Sequence, residues 1–137
     1  MNATVTSLRE VDPAEVAQVD ISDLTPNEIA KRLIVLGRQL YAKVAELRDL
    51  GEVVSNARKD AKVAYAKAFL EATGPMDVRR QEAELAAADA RLTLDIAEQE
   101  LSACKEALKA IHAMIDVGRS LSATTRDEMR MAGVGGA

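Results

Sequence analysis

One short interruption constrains the fold of this chain more than any other feature. Residues 73–77, with the sequence TGPMD, break a long stretch that is otherwise compatible with helix. Gly74 suits the left-handed position just past a helix end, and Pro75 cannot continue the incoming helix but fits the start of the next one. The sequence therefore predicts two long helices that fold back on each other at this turn.

The start of the first long helix is marked by the sequence TPNE at residues 25–28. Thr25 can cap the helix, Pro26 fits its first position, and Glu28 completes a capping box. Residues 1–24 form an acidic N-terminal arm in this interpretation. A short helical segment can begin in that arm near Asp12.

Apolar residues recur at steps of mostly three and four on both sides of the turn, which is the spacing of coiled-coil helices. In the first arm they are Ile29, Leu33, Leu36, Leu40, Val44, Leu47, Leu50, Val54, Ala57, Ala61, Ala64 and Ala68. In the second arm they are Ala83, Ala87, Ala90, Leu94, Ala97, Leu101, Cys104, Leu108, Ile111 and Ile115. Both rows are Ala-rich near the turn, so close helix packing is expected there. A turn centred between Gly74 and Pro75 predicts that Ala61 lies near Ala88.

The predicted fold class is all-α: a long antiparallel two-helix coiled-coil hairpin with short N- and C-terminal helical segments, associating into a four-helix assembly. The hairpin unit spans residues 25–132. Glycine and hydroxyl residues at 117–125 interrupt the apolar spacing, which predicts a bend or a new short helix there. Residues 133–137 are expected to form a flexible tail.

Charge is segmented along the chain, although the net charge is only −4. Residues 31–67 hold nine basic and four acidic side chains, whereas residues 68–106 hold four basic and nine acidic ones. Residues 1–30 hold one basic and six acidic side chains. Opposite charge on the two arms favours antiparallel docking and helps to set its register.

The residues that usually carry chemistry are sparse, and this pattern predicts that the protein is not an enzyme. Cys104 falls in the apolar row, as expected of a buried thiol, and His112 is the single histidine. A metal site needs several convergent ligands, so neither a metal nor a cofactor is expected. A single cysteine suits a reducing compartment such as the cytosol, and the lack of a long uncharged apolar stretch predicts no membrane partner.

A second apolar line beside the main row predicts self-association. Its members are Val78, Leu85, Leu92 and Ile96. An isolated pair of helices cannot bury two rows, so a homo-oligomer, with a dimer favoured, is one way to cover this line. The alternatives are half-exposed side chains, or residues 14–24 of the N-terminal arm lying over the line.

Tyr65 and Phe69 form an aromatic pair one helical turn apart near the predicted tip. Packing on Met76 and Val78 across the turn is the favoured role. A partner-binding hot spot is the alternative.

Two basic clusters are candidates for phosphate or partner contact. The cluster near the tip comprises Arg58, Lys59 and Lys62, and the cluster at the opposite end comprises Lys31, Arg32, Arg119, Arg126 and Arg130. Solvated helix faces are favoured for both, because acidic residues lie nearby and neither cluster has interleaved aromatic residues. A nucleic-acid-associated role in replication or recombination stays open as the alternative function.

Three runs carry a resemblance to a known group of proteins: NARKDAKVAYAKAFL at 56–70, MDVRR at 76–80, and VGRSLS at 117–122 with Arg126. Over residues 25–133 the chain resembles small helical proteins encoded by phages of actinobacteria, whose function is unassigned. The resemblance implies a phage or prophage product that works in the bacterial cytoplasm or the virion. The expected function is that of a non-enzymatic accessory or assembly protein that contacts a phage or host protein.

Overall fold

The computed structural model of the protein describes residues 24–134, which form two long helices. Helix α1 spans Pro26–Glu71 and helix α2 spans Met76–Val134. At the usual helical rise, 46 and 59 residues correspond to lengths of about 69 Å and about 88 Å. The molecule is an all-helical hairpin in this range, as the sequence predicts. The helical segment expected near Asp12 lies outside the described residues.

The start of α1 is fixed by a capping box. The Thr25 hydroxyl accepts a hydrogen bond from the Glu28 amide at 3.3 Å, and the Glu28 carboxylate accepts one from the Thr25 amide at 3.0 Å. Pro26 follows the cap, where its missing amide proton costs nothing. The predicted beginning of the first helix is therefore confirmed.

The turn between the helices is confirmed at the predicted place. Gly74 has φ +109°, a backbone angle that a side chain would strain. The Pro75 carbonyl accepts the amide of Arg79 at 3.1 Å, which opens α2 immediately after the turn. Only the residues between Glu71 and Met76 separate the helices, so the chain reverses within one short loop.

Contacts between the helices recur at increasing distances from this loop along both helices. Arg79 donates a side-chain hydrogen bond to the Phe69 carbonyl at 3.3 Å, and farther along the Cys104 sulfur lies 3.6 Å from the Lys43 carbonyl. The buried residues form one row between the helices. They are Ile29, Val54, Ala57, Ala61, Ala83, Ala87, Ala97, Cys104 and Ile111. Alanine dominates the row near the loop, as the sequence predicts, because small side chains let the two backbones approach.

One member of the predicted apolar row is wrong. Val44 is exposed, whereas its neighbour Lys43 is half-buried at the helix interface. Steps of four from Leu36 to Leu40 and again to Val44 exceed the 3.5-residue average that keeps a row facing its partner. Position 43 restores the alternation, so a lysine stem occupies the interface and its ammonium pairs with Glu46 at 2.8 Å.

The register estimated from the turn, which put Ala61 near Ala88, is not the observed one. Ala88 is exposed, while Ala87 has no exposed surface. Leu33 lies directly against Gly118. Moving from this contact towards the loop by the same number of residues on both helices places Ala61 opposite Ala90. The register differs by two residues from the sequence estimate, because the turn residues do not divide symmetrically between Gly74 and Pro75.

The separate short helix that was one expectation for residues 117–125 is absent, because α2 continues unbroken to Val134. The hydroxyls of this region bond within the helix. Ser120 donates to the Asp116 carbonyl at 3.1 Å, and Thr125 donates to the Leu121 carbonyl at 2.9 Å. Helix also continues through Gly133, where the sequence predicted a tail.

Gly118 is a close-approach residue instead of a helix breaker. A Cβ atom built on it would lie 2.7 Å from Leu33 Cδ2, whereas a Cβ atom on Gly37 would meet nothing within 4 Å. The absence of a side chain at position 118 therefore lets Leu33 pack onto the backbone of α2.

These two glycines give a matched test of the packing. We expect Gly37→Ala to stabilise the hairpin by about 1 kcal/mol through helix propensity. Gly118→Ala should gain little, because Leu33 must move to make room for the new methyl group. Thermal denaturation followed by circular dichroism measures both variants, and equal stabilisation by the two would contradict the close contact at Gly118.

Candidate functional site

The predicted second apolar line is exposed along α2. We call Val78, Leu85, Leu92 and Ile96 the outer apolar line. Their exposed fractions are 46%, 78%, 58% and 49% in chain order. Leu85 stands two residues from Ala83 and two from Ala87, both fully buried, so it points away from α1. No residue among 24–134 covers this line.

Acidic side chains flank the outer apolar line. Glu82, Asp89 and Asp95 are all exposed and lie within four residues of its members. Ala86 and Ala88, also exposed, leave the centre of the line free of bulky neighbours. The surface is therefore an apolar strip with negative edges, which a partner must either match or screen.

The aromatic pair near the tip makes contacts with two arginines of α2. The rings of Tyr65 and Phe69 lie 6.3 Å apart at 14°, and the guanidinium of Arg79 sits 4.9 Å from the Phe69 ring. Arg91 lies 5.4 Å from the Tyr65 ring, while Met76 is exposed. Cation–π contacts with α2 therefore cover part of the pair. Packing on Met76 and Val78 stays a prediction.

The basic cluster near the tip is partly neutralised. Arg58 pairs with Glu98 on α2 at 3.1 Å, and both side chains are about half exposed. Arg58 and Lys62 line a shallow groove together with Tyr65 and Arg91. Lys59 is exposed on α1 next to Arg58. An exposed pair of this kind contributes less than about 1 kcal/mol.

The structure divides the basic cluster at the opposite end between different sides of the rod. Arg119 and Arg126, seven residues apart, share one side of α2, and Arg130 follows one turn later. Lys31 and Arg32 lie near the same end, since Leu33 packs on Gly118. Their positions on α1 point them away from the side that carries Arg119.

A longer basic row was missed by the sequence reasoning. Along one edge of the helix interface, Arg58 contacts Glu98 and Tyr65 contacts Arg91. Residues spaced by seven positions along each helix lie on the same edge. On α2 the continuation consists of Lys105, His112, Arg119 and Arg126, which we call the cation row. Within residues 24–134 none of these four side chains forms an ion pair, although the exposed Asp116 lies one helical turn from both His112 and Arg119. The seven-residue spacing was visible in the sequence, but its side of the hairpin required the register.

On α1 the same edge holds small residues. Extending the pairs Tyr65–Arg91 and Arg58–Glu98 by further steps of seven residues places Gly51 opposite Lys105 and Gly37 opposite Arg119. A Cβ atom on either glycine would meet nothing within 4 Å. Val44 faces His112 at the same edge. The cation row therefore borders an open groove along the half of the hairpin remote from the turn.

The chemically reactive residues are apart from one another. Cys104 is buried in the helix interface, whereas His112 is exposed. In the described part of the chain no three His, Cys, Asp or Glu residues come together as a metal-binding group, and no charged side chain is buried. Neither helix is apolar enough over a sufficient length to cross a membrane.

No protein-family model, curated protein or solved structure matches this chain. Function is therefore inferred from the two surfaces described above, the outer apolar line and the cation row.

Proposed function

We propose that this protein is a non-enzymatic, antiparallel coiled-coil hairpin that dimerises through the outer apolar line and acts through protein contacts. The observation that carries the proposal is the exposure of Leu85 and Leu92 on the side of α2 opposite α1. Two hairpins joined along this line make a four-helix assembly.

The order of the interhelical contacts supports the antiparallel arrangement. Phe69 pairs with Arg79 beside the loop, Lys43 with Cys104 farther out, and Leu33 with Gly118 near the other end. Residue numbers fall on α1 as they rise on α2. Lys43 at a core position also favours one register, because a polar residue there is tolerated only where its end reaches water.

Burial of the outer apolar line supplies the driving force for association. Moving one Leu or Val side chain fully out of water is favourable by about 1.5 to 3 kcal/mol. An isologous contact with its twofold axis between Leu85 and Leu92 places Leu85 of one copy against Leu92 of the second, with Val78 near Ile96. The line is thus complementary to itself.

The competing cover by the chain's own residues 14–24 fails on distance. Leu85 lies at a level roughly 40 residues along α1 from Pro26, or about 60 Å at the helical rise. Residues 14–24 span at most about 40 Å when fully extended. The apolar residues of this segment, which include Val16 and Ile21, cannot reach Leu85 in the same hairpin.

The non-enzymatic part of the proposal rests on the placement of the two residues best suited to chemistry. The Cys104 thiol is enclosed by the helix interface and directed at the Lys43 carbonyl, and His112 stands on an exposed edge. A nucleophile needs both access and a neighbouring base, and Cys104 has neither among the described residues.

The resemblance to helical proteins of actinobacterial phages supplies the biological setting of the proposal. A dimeric rod of this length suits an accessory or assembly factor that spans between other proteins. Its place of action is then the host cytoplasm or the virion. The partner would be a phage or host protein.

The cation row supports a second candidate, a nucleic-acid-associated accessory protein. Lys105, Arg119 and Arg126 lie along one edge, and cations arranged in this way can follow a phosphate backbone. Net charge and the absence of an exposed aromatic in the row argue for the protein-contact proposal over this one.

The dependence of binding on salt concentration distinguishes the apolar dimer from the nucleic-acid-associated candidate. We expect dimerisation to strengthen several-fold as salt rises from low to physiological concentration, because Glu82, Asp89 and Asp95 bring like charges together and ions screen them. Phosphate contacts weaken steeply over the same range. Sedimentation equilibrium measures the dimer, and fluorescence anisotropy of a labelled oligonucleotide measures nucleic-acid binding. Steep loss of the dimer with added salt would contradict an apolar interface.

A further inference from the structure

The cation row has few counter-charges on the hairpin, in contrast to the edge nearer the turn. Arg58 on the same edge has Glu98, and Arg91 has Glu84. Beyond Glu98 the row positions on α2 are basic or neutral, and Asp116 is the single carboxylate three or four residues from any of them. On α1, Gly51 and Gly37 lie opposite Lys105 and Arg119. A surface built in this way is suited to an extended acidic segment lying in the groove.

We infer that residues 10–23 of the same chain dock along the cation row. This segment holds five acidic side chains and no basic one. They are Glu10, Asp12, Glu15, Asp20 and Asp23. Charge complementarity favours this segment, since on α2 Asp116 is the single carboxylate three or four residues from a member of the row.

The point of attachment favours the same occupant. The segment joins α1 through Thr25. The beginning of α1 lies beside Arg126, because further steps of seven residues from the pair Arg58–Glu98 place Ala30 opposite Arg126. Residues 10–23 therefore begin at one end of the row. An oligonucleotide or an acidic partner would have to displace a ligand that is held at high effective concentration by its own linkage.

The spacing of the acids fits an extended chain that runs back along the groove. Successive cations seven residues apart are separated by about 10.5 Å of helix. An extended chain covers that distance in about three residues. Asp23 and Asp20 are three residues apart, and so are Glu15 and Asp12.

This docking is independent of the proposed dimer. The cation row lies on the edge of the hairpin beside Arg58 and Tyr65, whereas Leu85 points away from α1. Covering the row leaves the outer apolar line free.

A spin label tests the contact in the full chain. The label is attached to Ala17→Cys in a Cys104→Ala background, and amide signals are compared with the label paramagnetic and reduced. We expect strong broadening at Gly37, His112 and Arg119 and none at Tyr65. Charge reversal by Arg119→Glu with Arg126→Glu should remove most of the broadening, because both sites are exposed and the helices remain folded.

The matched control is Lys59→Glu with Lys62→Glu, which makes the same change in charge outside the row and should leave the broadening intact. Absence of broadening in the parent, or equal loss in the two double variants, would overturn the inference. Broadening seen only when labelled and isotope-enriched copies are mixed would overturn docking within one chain. Tight binding of a single-stranded oligonucleotide to the row without displacement of the labelled segment would overturn it as well.

Discussion

Ala87→Leu is expected to destabilise the hairpin by about 1 to 3 kcal/mol, the usual cost of overpacking a filled interface. Ala87 has no exposed surface and stands where the two helices approach through alanines on both sides. A larger side chain must either push the helices apart or adopt a strained rotamer. Thermal denaturation should show a midpoint lowered by roughly 5 to 20 °C.

The neighbouring substitution Ala88→Leu is the control. Ala88 is exposed, so the added side chain meets water instead of α1, and the midpoint should change little. A similar loss in both variants would contradict the register in which Ala87 faces the interface. A larger loss at Ala88 would favour the register estimated from the turn alone.

Features governed by local chemistry could be predicted from the sequence. The capping box at Thr25 and Glu28, and the turn at Gly74, depend on residues within four positions of each other. The gradient from alanine near the turn to larger residues at the other end is also visible in the two apolar rows of the sequence. These features account for the helices, the loop and the general form of the hairpin.

The register could not be predicted to the residue, because it depends on how the two helices pack. Val44 and Lys43 both follow Leu40 at permitted spacings, and apolar character favours Val44. Packing selects position 43 instead, since that position keeps the row in line with α2. A separate error of two residues in the register put Ala61 at the level of Ala88 instead of Ala90.

The role of Gly118 and the cation row were hidden for the same reason. A glycine among hydroxyl residues is typical of a helix end, and only the position of Leu33 shows that it is a packing contact. Lys105 and Arg119 belong to one edge of the hairpin only when their helix is continuous and its partner is in register. The outer apolar line was accessible from the sequence, because spacing by seven on one helix needs no partner.

Leu85→Glu with Leu92→Glu is expected to abolish self-association. The two substitutions replace the centre of the outer apolar line with charge and add to the negative edges formed by Glu82 and Asp89. In a twofold contact each new carboxylate meets another one, and an unpaired charge inside an interface costs several kcal/mol. Both positions point to solvent in the single hairpin, so the monomer should remain helical with little change in its own stability.

Ile34→Glu with Tyr41→Glu is the matched control. These residues are also seven apart and exposed, at 58% and 81%, but they lie on α1 away from the outer apolar line. The same change in charge there should leave association unchanged. Equal loss in the two double variants would indicate a general effect of negative charge.

Sedimentation equilibrium of the full chain at micromolar to high micromolar concentrations, at physiological salt, tests dimerisation through the outer apolar line most directly. The account predicts a mass of about twice the 14.7 kDa of one chain for the parent and for the α1 control, and 14.7 kDa for Leu85→Glu with Leu92→Glu. A parent that remains at 14.7 kDa throughout this range, or a double variant that dimerises like the parent, would contradict it.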